Sequence, residues 1–110
     1  MTINEMQQQC FEQAKKSGWA GPGARPVPFP EAIALVHSEL SEALESWRNK
    51  EPPSWTDDDG KPQGIGSEFA DVLIRLGHYA SIFDVNLEAE VQRKLAYNAT
   101  RPYRHGGKAG

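Results

Sequence analysis

Cysteine is almost absent: Cys10 is the single cysteine among 110 residues. That excludes an internal disulfide and fits a reducing compartment. Long apolar runs are missing too. No stretch approaches the roughly 18 consecutive apolar residues of a membrane span. Residues 1–5 carry neither a basic region nor an apolar run, so no secretory signal is expected. The expectation is a cytoplasmic protein that enters no membrane. Strand signals are equally scarce, since apolar–polar alternation nowhere persists. Nor does one sign of charge dominate: 12 Lys and Arg stand against 15 Asp and Glu. The resulting balance of −3 gives no general pull toward nucleic acid.

What is present is helical periodicity broken by glycine and proline. The length suits one domain spanning 1–110, and such a chain buries roughly two-thirds of its unfolded surface. Residues 2–17 read as a first helix, with Ile3, Met6, Cys10 and Ala14 at helical spacing and Gly18 as the stop. Cys10 is expected to pack as a small core residue. Residues 18–30 hold three glycines and four prolines and read as a loop. Trp19 within it either plugs the core edge or stacks on a nucleobase.

Residues 30–50 form the strongest pattern. Pro30 suits the first helical turn and Glu31 its positive end. Ile33, Val36, Leu40, Leu44 and Trp47 make the expected apolar stripe, which places Trp47 in the core. Residues 51–64, with Pro52-Pro53 and Asp57-Asp58-Asp59-Gly60, read as a polar, turn-rich connection. Trp55 in this connection is a second stacking candidate, and Phe29 is another. A third helix over 65–83 buries Ile65, Phe69, Val72, Leu73, Leu76, Ala80 and Phe83. His78 on its polar edge could be a ligand, but a surface or helix–helix polar contact is expected of it. Asn86 caps a fourth helix, 87–99, with Leu87, Val91 and Leu95 on one stripe. A basic, glycine-rich tail, 102–110, follows. Four helices imply an all-α, four-helix bundle-like fold.

Two acidic steps stand out: Glu39-Leu40-Ser41-Glu42 and Glu68-Phe69-Ala70-Asp71. Residues three apart on a helix share a face, their Cβ atoms about 5–6 Å apart, and packed helices lie about 8–10 Å axis to axis. A lone E-x-x-E is commonly solvated surface. Here each pair adjoins an apolar stripe, and neither Glu39 nor Glu42 has a Lys or Arg four residues on. Converging carboxylates repel by about 3 kcal/mol per pair at roughly 5 Å and an effective dielectric of about 20. A divalent cation reverses that, and carboxylate oxygens suit Mg²⁺, with Mn²⁺ as a substitute. Lys94, Asn98 and Arg101 then form a row on the next helix suited to phosphate oxygens.

The spacing Glu39-x-x-Glu42, then Glu68-x-x-Asp71, then Lys94-x-x-x-Asn98-x-x-Arg101-Pro102-Tyr103-Arg104-His105-Gly106-Gly107-Lys108 resembles the MazG-like, all-α nucleoside triphosphate pyrophosphohydrolases, over about residues 30–108. Many members carry a further Glu before the first motif, where this chain has Ser38. The resemblance implies conversion of an NTP or dNTP to monophosphate and pyrophosphate. Glu39, Glu42, Glu68 and Asp71 would ligate Mg²⁺, and one carboxylate would take the proton of the attacking water. Lys94 and Arg101 would contact phosphate, with Asn98 on phosphate or sugar. It also implies a homodimer or homotetramer whose site is shared between subunits. Two non-enzymatic readings compete. One is a helical interaction module binding nucleic acid through residues 93–108. The other is a helical oligomer that holds nucleotide or metal without turnover.

Overall fold

The structure, a computed structural model, describes residues 1–104; residues 105–110 of the basic ending lie outside them. Four helices account for most of the described chain: α1 (Ile3–Lys16), α2 (Phe29–Arg48), α3 (Ile65–Ile82) and α4 (Leu87–Ala99). The helices start where the local chemistry says they should. Thr2 and Glu5 exchange side-chain-to-backbone hydrogen bonds as a capping box on α1. Pro30 occupies the first turn of α2. The Asn86 carboxamide oxygen accepts from the Ala89 N–H at the head of α4.

One element departs from expectation. The polar connection contains a two-stranded antiparallel hairpin, β1 (Trp55–Thr56) with β2 (Pro62–Gln63), Trp55 opposite Gln63. Asp57 builds its turn. One carboxylate oxygen accepts the N–H groups of Asp59 and Lys61, and the other accepts from Gln63 Nε2. The acidic triplet is thus a turn device. Gly64 then leads into α3 at φ +99°, passing so close to the Pro52-Pro53 backbone that a Cβ would fall 2.6 Å from the Pro52 carbonyl oxygen. Only glycine fits there.

The central helix is α3, packed on one side by α1 and on the other by α2, while α4 packs against α1. Between α1 and α3 the approach is close: a Cβ on Gly77 would meet the Cys10 side chain at 3.0 Å. Cys10 and Ala14 are buried there, as the α1 stripe predicts. The other side centres on Ala32, Val36 and Tyr79, with Val27, Leu35, Val72 and Leu76 packed around them.

The α2 stripe requires correction. Its buried residues are Ala32, Val36, Glu39, Ala43 and Ser46, a row mostly one position short of the expected Ile33, Val36, Leu40, Leu44 and Trp47. Small side chains let α2 approach α3 closely, and the larger row faces outward. Leu40, Leu44 and Trp47 are 48%, 47% and 66% exposed, so Trp47 is not a core residue within this chain. On α3, Phe69, Leu73 and Phe83 are likewise exposed, and α4 buries nothing.

Candidate metal centre

The register that turns the large residues of α2 outward turns Glu39 inward, to 8% exposure. Glu42, one turn on, stays exposed, and Glu68 on the first turn of α3 is half-buried. The two acidic steps therefore do meet. Carboxylate oxygens of Glu39, Glu42 and Glu68 lie within 4.8 Å of one another. Asp71 falls outside that set of three. It sits one turn further along α3, half-buried, where its carboxylate feels Glu39 and Glu42.

The site carries an unresolved electrostatic load. Glu68 Oε2 is buried and accepts no hydrogen bond from any described residue. Burial pushes the Glu68 carboxyl up to about 7, with hydrogen bonding to Glu42 and the charges of Glu42 and Asp71 adding to the rise. Asp71 is raised as well, first by burial and then by Glu39, with Arg75 pulling it back. Such a group is satisfied either by a proton shared between Glu68 and Glu42 or by a cation. Oxygens bound at about 2.1 Å to one octahedral Mg²⁺ lie about 3–4 Å apart. Carboxylate oxygens within 4.8 Å of one another are near that spacing, and three hard oxygen donors are the chemistry that such an ion takes.

Glu39 does have a basic partner, supplied by the facing helix: Arg75 Nε donates to Glu39 Oε1 at 2.8 Å. Arg75 Nη1 also donates to the Tyr79 hydroxyl, at 3.1 Å. Burial works against the Arg75 charge, but these two partners outweigh it and raise its pKa. Among the described residues, Glu42, Glu68 and Asp71 form no such ion pair.

Beside the carboxylates opens a cleft of about 860 Å³ between the end of α1, the 18–28 loop, α2 and α3. Glu39, Asp71 and Arg75 stand on its wall together with Trp19, Leu35 and Tyr79. That volume is in the range of small-molecule sites. Trp19 is 72% exposed, which leaves its ring face available for stacking. His78 also lines the cleft. Burial, then the Arg75 charge, lower its pKa and keep the ring neutral. The ring stands against Phe11 and Tyr79, an aromatic contact in place of the expected polar one, and its Nε2 is buried without a hydrogen-bond partner among the described residues.

The remaining predicted residues lie elsewhere. Trp55 does not line the cleft; its indole N–H donates to Glu51 at 2.9 Å. Phe29 packs on Phe83 with ring centroids 5.2 Å apart. Lys94, Asn98 and Arg101 are at or just beyond α4, which takes its packing from α1, and none lines the cleft. Lys94 instead stands over the Tyr97 ring. Arg75 is the residue that sequence reasoning missed in the site. The signal was faint: Arg75 lies four residues after Asp71, on the same polar edge of the same helix.

Fold and site together define a helical protein with a carboxylate cluster beside an open cleft. No family model, no curated protein and no solved structure matches the chain. No helix of the described residues is long and apolar enough to cross a membrane.

Proposed function

We propose that the protein is a Mg²⁺-dependent nucleotide pyrophosphohydrolase of the MazG-like kind, cleaving an NTP or dNTP to the monophosphate and pyrophosphate. The observation that carries this is the convergence of Glu39, Glu42 and Glu68 from two helices, with one Glu68 oxygen buried and without a hydrogen-bond partner among the described residues. Nearby solvated acids need no cation. An oxygen shut away from both water and donors needs a proton or a cation, and the nearby Glu39 and Glu42 oxygens that could serve as further ligands favour the cation.

Glu39, Glu42 and Glu68 would hold the ion, with Asp71 one turn further along α3 at its margin. Bound there, the ion supplies positive charge for the triphosphate and lowers the pKa of a coordinated water. The cleft takes the nucleoside, with Trp19 stacking on the base. Attack of water at the α-phosphorus breaks the α–β anhydride bond and expels pyrophosphate, and one of the carboxylates accepts the proton the water loses.

The outward apolar row of Leu40, Leu44 and Trp47 on α2, beside Phe69 and Leu73 on α3, is the face a second copy covers. Association through this face gives the homodimer or homotetramer. It brings the exposed Lys94 and Asn98 and the half-buried Arg101 of one copy to the phosphates held by the other.

The test is a panel of the common NTPs and dNTPs with Mg²⁺, scored for pyrophosphate against orthophosphate. Pyrophosphate and monophosphate in equal amounts, from one or a few nucleotides, is the expected result. Orthophosphate release, or no turnover of any member, refutes the assignment.

A further inference from the structure

Arg75 is oriented but not saturated. Its Nε is spent on Glu39 and one Nη1 hydrogen on Tyr79. Among the described residues Nη2 has no partner, although the side chain stands on the cleft wall and is only 35% exposed. A guanidinium is a rigid fork of five donors. Two fixed anchors therefore fix the direction of the donors left over. The other arginine of the cleft, Arg25, differs: both oxygens of Glu31 occupy its Nη2, in a pair open to solvent.

Arg75 also sits where it conflicts with metal. It neutralises Glu39, one of three carboxylates whose oxygens already approach each other. A cation arriving at that cluster competes with the guanidinium for the same carboxylate. A phosphate arriving with the cation offers the guanidinium a replacement partner, because phosphate oxygens suit the Arg fork as well as a carboxylate does.

We propose that Arg75 is a substrate-positioning residue that exchanges partners: it holds Glu39 in the empty site and transfers to a phosphate oxygen of the incoming metal–triphosphate. This rests on the reading of the carboxylate cluster as a metal centre for nucleotides. Metal alone then binds against a local brake, and metal with triphosphate binds with the brake converted into a contact. The exchange ties tight metal binding to the presence of substrate.

The experiment is calorimetry with two probes, Mn²⁺ alone and Mn²⁺ with inorganic tripolyphosphate, on the wild-type chain, Arg75→Gln and Arg75→Lys. The two probes are expected to move in opposite directions. In Arg75→Gln, Mn²⁺ alone binds about 3–10-fold more tightly, because Glu39 is released, while the tripolyphosphate complex binds about 10–100-fold more weakly, the range of a charged hydrogen bond. Arg75→Lys keeps the charge without the fork, guards against a folding defect, and recovers only part of the tripolyphosphate affinity. If both probes weaken together in Arg75→Gln, or if tripolyphosphate binding is unchanged, the exchange is refuted while the metal centre stands. If wild type binds neither probe, the metal-centre reading itself fails and takes the exchange with it.

Discussion

The two flanks of α3 are built to different rules. Toward α1 the contact is close and mostly satisfied, with one buried exception among the described residues, the His78 Nε2 beside Phe11. Gly77 lets Cys10 come within touching distance. Gln7 ties the helices to the following turn, donating to Ser81 Oγ and the Val85 carbonyl and accepting from the Leu87 N–H. Toward α2 the contact is unfinished. It buries Glu39, strands Glu68 Oε2 without a donor, and leaves the large apolar residues of α2 facing out. An interface selected for stability alone would resemble the first. The second keeps carboxylates close together at a cost in stability, and under the proposed metal centre substitutions on the two flanks should have opposite signatures.

The largest contrast is in catalysis. Glu42→Gln removes an exposed carboxylate that has no ion pair among the described residues, so it should leave thermal stability unchanged or slightly higher. Pyrophosphate release should fall by about 10³-fold, or about 4 kcal/mol of barrier. Full activity in this variant would break the contrast between the flanks, since the acidic side would then be inert.

On the α1 side the order reverses. Gly77→Ala drives a methyl group against Cys10 at 3.0 Å and should cost about 1–3 kcal/mol by overpacking. Activity per folded molecule should stay near wild type. Chemical denaturation and the turnover assay, run on the same samples, separate the two effects. A stability loss below about 0.5 kcal/mol would mean that this seam is looser than the distances say.

The helices were legible because punctuation marks them. Gly18, Pro30, the Gly60–Gly64 connection, Asn86 and Pro102 bracket four periodic runs, and the observed ends fall within two residues of those expected. The three-residue steps predict four carboxylates together; Glu39, Glu42 and Glu68 do meet, and Asp71 falls outside the set. The register of α2 was not legible. Two rows one position apart are both plausible, and apolarity ranks Ile33, Leu40, Leu44 and Trp47 first. Close packing on α3 selected Ala32, Ala43 and Ser46 instead, a choice made by steric fit between helices. The hairpin was illegible because two-residue strands are too short to alternate; only Asp57 and Gly60 signalled a turn. The Glu39–Arg75 pair escaped because a search along one helix cannot find a partner 36 residues away on another.

Proton linkage gives a smaller test of the unfinished flank. Unfolded, Glu68 releases its proton near the ordinary 4.5; folded, it does so near 7. Between those values the folded chain keeps a proton the unfolded chain has lost. Stability of the metal-free protein therefore falls as pH rises through that window and levels off above it. Discounted for solvent screening, the loss should be about 1 kcal/mol. Glu68→Gln should flatten the profile and make the metal-free protein more stable at pH 8, while removing a ligand. Saturating Mg²⁺ should recover the loss in wild type, since at 100 times Kd a ligand adds about 2.7 kcal/mol. A wild-type profile that rises between pH 5 and 7 would show that Glu68 is not the strained group.

The smallest effect on the fold should come from the outward row. Trp47→Lys alters a side chain 66% exposed on α2, so one chain in isolation should change in stability by no more than about 0.5 kcal/mol. If a second copy covers this face, the same substitution buries an unpaired charge in a contact that had been apolar, which costs several times as much. Light scattering distinguishes the cases: the mass should drop toward the 12.2 kDa of one chain with helical content intact. Loss of assembly should also carry away activity supplied by Lys94 and Arg101 of the other copy, although Trp47 itself touches no substrate. A wild-type protein that is already monomeric and fully active would show that the α2–α3 flank is completed by metal and nucleotide alone, and that the exposed row plays no part in the chemistry.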